Sequence, residues 1–130
     1  MDKLEYIPGD LAFHYIPKTT IKKYVKVYVC STNNALSLED MDGNLYDYIG
    51  ELYPIPITPK ILEKNGWKKD GKWYKLTTKR AYLYITKDAK VNDEFLVCVG
   101  DGKHNLASVS FVHELQHLLY GLKLNSEMEV

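Results

Sequence analysis

The sequence has no long apolar run and no net charge. No run approaches the roughly 18 apolar residues that a membrane-spanning helix requires, and the first residues lack the apolar core of a signal peptide. The formal net charge is zero, which disfavours tight binding to duplex nucleic acid because such binding needs many contacts to phosphates. We therefore expect a cytoplasmic protein with no membrane partner and no duplex nucleic-acid partner.

Cysteine is also scarce, since the 130 residues include only Cys30 and Cys98. Both lie in apolar, strand-like segments, which predicts two buried thiols rather than a disulfide.

The Asp-Gly-Lys-His segment at 101–104 lacks the spacing of a phosphate-binding loop and predicts a turn. A chain of this length can bury a core of its own, and we expect a single domain over residues 1–130.

The charges that are present are unevenly distributed. Residues 60–90 hold ten Lys or Arg and three acidic residues, whereas residues 1–59 hold five Lys and eight acidic residues. Residues 91–130 hold two Lys and six acidic residues. The middle segment can therefore present a basic face on a protein without net charge.

Short alternating segments between turn signals predict a strand-rich α+β fold with antiparallel sheet. Residues 94–99 are almost continuously apolar, which predicts an interior strand. A short helix is predicted near 58–65, where threonine and proline mark its start. Residues 1–57 would form an N-terminal β meander. Residues 58–130 would hold the short helix, a basic hairpin, further strands and a terminal helix.

Two Asp-Gly dipeptides predict tight hairpins. The dipeptide at 42–43 predicts a type I′ turn. The dipeptide at 70–71, taken as a two-residue loop, would set Lys69 opposite Lys72 in the following strand.

The longest stretch with helical periodicity lies near residues 110–122. Its apolar stripe at 100° per residue consists of Phe111, Leu115, Leu118, Leu119 and Leu122. We expect this stripe to pack on a sheet, with Ser110 as the N-cap and Gly121 near the end of the helix. The tail after residue 124 is expected to be loosely held.

The terminal helix carries the HExxH pattern of zinc peptidases. In that pattern His113 and His117 would bind zinc, and Glu114 would act as the general base. A catalytic zinc needs a third protein ligand, and Glu127 and Glu129 lie too close in sequence for a second helix to return them. We therefore predict no metal and no cofactor, with both histidines on a solvated helix face. A zinc-dependent hydrolase with Glu114 as the catalytic residue is the alternative.

Three blocks of sequence carry a resemblance to a known group. They are PIPIT at 54–58, ILEKNGW at 61–67 and FVHELQHLLYGL at 111–122. Through them residues 52–129 resemble small uncharacterised proteins carried by phages and prophages of gut bacteria. The group has no activity to transfer, and it has Gln and Asn where this chain has Glu114 and His117. The resemblance thus implies a phage-encoded protein whose terminal helix is used without zinc.

The strongest candidate site is the basic, aromatic hairpin and the strand after it. Its candidate ligand-binding residues are Lys68, Lys72, Trp73, Tyr74, Lys75, Arg80 and Tyr82. Lysine and arginine bind phosphate, and aromatic rings stack on bases. The sequence therefore predicts a non-enzymatic binding module for a small anionic ligand, such as a nucleotide, or for a host protein. An assembly protein whose tyrosines form a homo-oligomer interface is a further alternative.

Overall fold

The computed structural model describes residues 6–15, 22–30, 36–47, 51–87 and 94–130. Contacts divide the chain into two compact units, Met1–Ile55 and Pro56–Val130. Each unit is built on one five-stranded antiparallel sheet, and the two helices found in the described residues belong to the second unit. The predicted α+β class, with a short helix and a C-terminal helix packed on a sheet, is confirmed.

The first unit contains five strands in the order β4-β3-β2-β1-β5. They are β1 (Leu11–Tyr15), β2 (Lys22–Cys30), β3 (Leu36–Asp40), β4 (Leu45–Asp47) and β5 (Glu51–Tyr53). Alternation along β2 buries Val25 and Val27, which form a core cluster with Ala12 and Leu38. Among the described strands, β5 lies at one edge of this sheet, beside β1.

The hairpin between β3 and β4 is present, but its turn differs from the predicted type I′. The backbone amide of Asp40 bonds to the carbonyl of Asn44 at 2.9 Å, so residues 41–43 form a three-residue loop. Within that loop only Gly43 has a positive φ, of 88°, whereas a type I′ turn needs two such residues. The Asp40 carboxylate accepts the backbone amides of Asp42 and Asn44 at 3.0 and 2.9 Å. These bonds stabilise the longer loop, and the Asn44 amide is the main reason why the pKa of Asp40 lies below its usual value.

The second unit contains five strands in the simple order β10-β9-β8-β7-β6. They are β6 (Lys68–Asp70), β7 (Trp73–Thr77), β8 (Tyr82–Lys87), β9 (Phe95–Val99) and β10 (His104–Val109). β9 is flanked on both sides, which confirms the predicted interior strand. β10 has six residues, and its register with β9 shifts between Asn105 and Ala107. One face of this sheet, here called the core face, buries Leu83, Ile85, Val97 and Val109.

The short helix α1 (Pro59–Lys64) forms where the sequence predicts it. The Thr58 hydroxyl accepts the amide of Ile61 at 3.2 Å, and Pro59 occupies the first helical position. Ile61 and Leu62 are buried. The helix ends at Asn65, which is followed by a glycine with φ of 92°. Local capping signals therefore set both ends of α1.

The terminal helix α2 (Val112–Gly121) begins one residue later than expected, with Phe111 rather than Ser110 as the N-cap. The Glu114 carboxylate makes the reciprocal half of a capping box, because its Oε1 accepts the backbone amides of Ser110 and Phe111 at 2.7 and 3.2 Å. Its negative charge also suits the positive end of the helix dipole. Within the described ranges, neither helix has the length and apolar composition needed to cross a membrane.

The end of α2 is a Schellman motif rather than a glycine stop. Lys123 adopts a left-handed conformation with φ of 62°. Its amide bonds to the carbonyl of Tyr120 at 2.9 Å, and the amide of Leu124 bonds to the carbonyl of Leu119 at 2.9 Å. These bonds satisfy carbonyl groups at the end of the helix and reverse the direction of the chain.

Residues 125–130, here called the C-terminal strap, run back along the second unit. The side-chain amide of Asn65 donates to the Glu129 carbonyl and accepts the Glu129 amide, both at 2.7 Å. The Gln116 amide donates to the Ser126 carbonyl at 3.1 Å, and Met128 is only 9% exposed. The expectation of a loosely held tail is therefore wrong, because a two-way amide contact and a buried side chain fix the strap.

Candidate ligand-binding site

The basic hairpin forms between β6 and β7, but its register differs from the predicted one. Asp70 pairs with Trp73, so Gly71 and Lys72 make up the two-residue loop. Gly71 has a φ of 65°, which suits the first central position of a type II′ turn. The predicted pairing of Lys69 with Lys72 is wrong because glycine, not aspartate, takes the left-handed position.

This register places four of the predicted site residues on one face of the sheet, opposite the core face. Trp73 and Lys75 alternate along β7, and Lys68 pairs with Lys75 across the hairpin. Tyr82 pairs with Thr77, two residues beyond Lys75. Residues two apart in a strand point to the same side, so the hairpin brings lysine and aromatic side chains together as the sequence predicts.

The other three predicted residues lie elsewhere. Tyr74 points to the core-face side, where its hydroxyl donates to the Glu63 carboxylate at 3.4 Å. Burial, and then the Glu63 carboxylate, raise the pKa of Tyr74. Lys72 lies in the turn, with its ammonium 5.8 Å from the Trp73 ring centroid. Arg80 lies in the exposed loop between β7 and β8.

The cluster is completed by Tyr84 and Lys103, neither of which was among the predicted site residues. The Lys103 ammonium lies 4.3 Å from the ring centroid of Tyr84 and 5.7 Å from that of Trp73. The Lys75 ammonium lies 4.0 Å from the Tyr82 centroid and 5.8 Å from the Tyr84 centroid. These five residues, Trp73, Lys75, Tyr82, Tyr84 and Lys103, are here called the cation–aromatic face.

Tyr84 is the centre of this face. Its side chain is 3% exposed, its ring meets that of Trp73 edge-on with centroids 6.2 Å apart, and its hydroxyl donates to the Asp101 carboxylate at 3.0 Å. Burial raises the pKa of Tyr84, the hydrogen bond to Asp101 raises it further, and the charge of Lys75 opposes the shift. The phenol is therefore neutral at ordinary pH and serves as a rigid support for the lysines above it.

The sequence pattern indicates the position of Tyr84 on this face but gives no indication of Lys103. Tyr84 alternates with Tyr82 in the predicted strand, so its place on the same face follows from the pattern. Lys103 comes from the turn between β9 and β10, whose Gly100 amide bonds to the Tyr82 carbonyl at 2.9 Å. Lys103 itself has a φ of 53°. Only the pairing of β8 with β9 brings this turn to the cluster.

Comparisons of the chain with protein-family models, curated proteins and solved structures found no match. The resemblance to phage and prophage proteins stays a prediction.

Contrary to the prediction, the histidines of the HExxH pattern do not lie on a solvated helix face. His113 is 2% exposed and His117 is half-buried. The two rings meet edge-on with centroids 5.6 Å apart, and the His113 ring stacks on Phe111 with centroids 6.2 Å apart. The prediction fails because α2 is buried over a wider arc than its leucine stripe, an arc that includes Gln116 and its bond to the strap.

Glu114 caps the helix instead of facing a metal-bound water between the two histidines. Its Oε1 accepts both Ser110 and Phe111 amides, so a role as general base would leave these donors without that acceptor. Among the described residues, no group of three His, Cys, Asp or Glu side chains is close enough together to hold a metal ion. Zinc remains the untested alternative.

Cys98 is a buried free thiol, as predicted. It donates to the side-chain oxygen of Asn105 at 3.1 Å. Burial raises the pKa of the thiol, with the charge of Lys103 opposing the shift. A raised pKa disfavours the thiolate that nucleophilic chemistry needs. The side chain of Cys30 lies outside the described part of the chain.

Proposed function

We propose that the chain is a non-enzymatic binding module that holds a small anionic ligand with a planar ring, such as a nucleotide, on the cation–aromatic face. The observation that carries this proposal is the pair of ammonium groups, from Lys75 and Lys103, 4.0 and 4.3 Å from tyrosine ring centroids on one side of a sheet. Lysine ammonium groups bind phosphate oxygens, and aromatic rings accept a stacked base.

The two tyrosines have different roles in this proposal. Tyr82 is 41% exposed, so a ligand can reach its ring, whereas Tyr84 at 3% exposure can only support the lysines. A cation–π contact at an exposed site contributes only about 0.5–1 kcal/mol. Lys75 can therefore turn from the Tyr82 ring toward a phosphate at small cost, because the new charge-assisted hydrogen bond is the stronger interaction. That movement uncovers the ring for stacking.

The groups next to the face favour binding over catalysis. The Tyr84 hydroxyl is engaged by Asp101, and the Cys98 thiol is buried with a raised pKa. Neither group is an activated nucleophile or a poised base. The lysines, by contrast, need no activation to attract an anion. The resemblance to phage and prophage proteins favours a ligand found in a bacterial host.

A direct test is fluorescence anisotropy with a labelled ten-nucleotide oligothymidylate over a range of salt concentrations. We expect Lys75→Glu with Lys103→Glu to weaken binding at least tenfold and to lower the salt slope by about 1.4, roughly 0.7 for each lysine that no longer neutralises a phosphate of the single strand. Tyr82→Ala should weaken binding by about 1–3 kcal/mol, the usual contribution of one base–aromatic stack.

The matched control is Lys60→Glu with Lys87→Glu, which changes the total charge by the same amount. Both lysines are exposed, and neither lies on the cation–aromatic face. Equal affinity of the wild type and a folded Lys75→Glu, Lys103→Glu protein would rule out this face as the site. Binding of a polyglutamate peptide in place of the oligonucleotide would indicate a protein partner instead.

A further inference from the structure

A concave surface lies in the same unit, and none of its lining residues belongs to the cation–aromatic face. It is a groove of 540 Å³ between the strap, the end of α2 and the loop that joins β7 to β8. Its volume falls within the roughly 300–1,000 Å³ typical of small-molecule sites. Residues of the second unit alone line it. We call it the C-terminal groove.

The floor of the C-terminal groove is apolar. Trp67, Leu119 and Met128 line it and are 2%, 3% and 9% exposed. Leu76 and Leu124 line it as half-buried side chains. A floor of this composition accepts a hydrocarbon chain, because contact with the ligand removes apolar surface on both sides from water.

The rim of the C-terminal groove is cationic. Lys79, Arg80 and Lys123 line it as exposed residues, and Glu127 is the one acidic residue in its lining. Within the part of the chain that the structure describes, the side chains of the three cations form no ion pair. The rim therefore carries an excess of two positive charges above an apolar floor, and that combination complements a ligand with a hydrocarbon body and a negative head.

The two chain segments that present these cations are fixed by hydrogen bonds. In the loop, the Thr78 hydroxyl accepts the amides of Arg80 and Ala81 at 3.2 and 3.0 Å and donates to the Ala81 carbonyl at 2.6 Å. At the end of α2, the Schellman motif holds Lys123 in its left-handed conformation. Fixed backbone lowers the ordering cost of ligand binding.

Besides the loop and the end of α2, the strap also bounds the groove. Asn65 and Gln116 hold it through hydrogen bonds to Glu129 and Ser126. Asn65 also lines the groove. The apolar floor is therefore bounded on several sides by segments with hydrogen-bonded backbones. Such a preformed, mostly apolar concavity with a few convergent polar groups is the usual form of a small-molecule site.

We infer that the C-terminal groove binds a medium-length aliphatic carboxylate, with the chain on Trp67 and Met128 and the carboxylate among the rim cations. This site does not depend on the ligand proposed for the cation–aromatic face. Arg80, which the sequence assigns to the hairpin site, belongs to this groove instead.

The test is isothermal titration calorimetry of the full chain with octanoate, 1-octanol and acetate. We expect saturable binding of octanoate, binding of 1-octanol about fivefold weaker or more, and no measurable binding of acetate. Absence of heat with millimolar octanoate would overturn the inference. Equal binding of 1-octanol would show that the rim recognises no charge, and equal binding of acetate would show that the floor is not used. Either result would also overturn it.

A charge-reversal pair then locates the carboxylate. Lys79→Glu with Arg80→Glu should weaken octanoate binding about fivefold or more and leave 1-octanol binding unchanged. Lys68→Glu with Lys69→Glu is the matched control, since these exposed lysines carry the same charge change outside the groove lining. An equal loss in both variants, or no loss in the rim variant, would contradict a carboxylate at the rim.

Tryptophan fluorescence locates the chain. The protein has two tryptophans, so Trp73→Phe leaves Trp67 as the only one, and Trp73 is not part of the groove lining. Octanoate should shift or quench the Trp67 emission over the same concentrations that give heat. Heat without any change in Trp67 emission would place octanoate outside the groove and would overturn the inference.

Discussion

Neighbouring residues of β8 show how differently the two faces of the second sheet are built. On the core face Leu83 and Ile85 are 2% and 0% exposed, whereas Tyr82 on the opposite face is 41% exposed. Tyr84 is as buried as the leucine, yet the groups around it are lysines, Trp73 and Asp101 rather than aliphatic side chains. Both faces therefore contain buried side chains. They differ in the groups that contact those side chains, which are aliphatic on the core face and charged or aromatic on the opposite face.

This comparison predicts that stability depends mainly on one face and binding on the other. Aliphatic packing on the core face removes large apolar areas from water, which is the dominant favourable contribution to folding. Cation–π contacts and exposed hydrogen bonds each contribute much less. Substitutions on the cation–aromatic face can therefore change ligand affinity while the protein stays folded.

The largest expected effect is on the core face. Ile85→Ala should lower the free energy of unfolding by about 2–5 kcal/mol, because it leaves a cavity at a fully buried position. The adjacent Thr86→Ala is the matched control on the other face. It loses one hydrogen bond, from the Thr86 hydroxyl to the Lys72 carbonyl at 2.8 Å, and should cost about 1 kcal/mol. Equal losses in denaturant unfolding would show that the two faces do not differ in this way.

An intermediate effect is expected where α2 begins. Glu114→Ala removes the acceptor of two backbone amides and should lower the free energy of unfolding by about 0.5–2 kcal/mol, the usual cost of a lost helix cap. Glu114→Gln keeps an oxygen acceptor and should cost less. Denaturant unfolding of both variants tests this, and an equal loss would show that the charge of Glu114, rather than its acceptor oxygen, stabilises the helix.

The smallest expected effect concerns the pH dependence of the cation–aromatic face. The pKa of Tyr84 is raised above its usual value of 10.0, so above that pH the unfolded state loses this proton before the folded state does. The contribution of Tyr84 to stability is then present below pH 10 and declines as the pH rises toward its folded-state pKa. Tyr84→Phe should flatten this decline in unfolding experiments at alkaline pH. An unchanged slope would show that Tyr84 titrates alike in both states.

The parts of the fold that the sequence predicts well depend on short-range signals. The threonine that caps α1 and the proline at its first position act within one helical turn. The alternation along β8 assigns its residues to two faces without reference to any other strand. The hairpin itself follows from Asp70-Gly71, but its register depended on which residue takes the positive φ, and that was predicted incorrectly.

The sequence predicted the part of the candidate site that is formed by residues close together in the chain. Trp73, Lys75 and Tyr82 lie together because a hairpin and its neighbouring strand are close in sequence. Lys103 joins them through strand pairing over a longer separation, and no local pattern indicates that contact. The burial of His113 was missed because a helical wheel shows which residues share a side of α2, and gives no information on how far neighbouring segments cover that helix.

The order of hydrophobic, charged and turn-forming residues was enough to determine the α+β class, both helices, and a hairpin rich in lysine and aromatic residues. Each of these depends on interactions between residues a few positions apart. Tertiary structure alone decided that the lysine of a distant turn lies over Tyr84 and that the C-terminal strap closes a groove beside Arg80. Those contacts join segments that are remote in sequence, and they form only when strand pairing and side-chain packing fix the segments together.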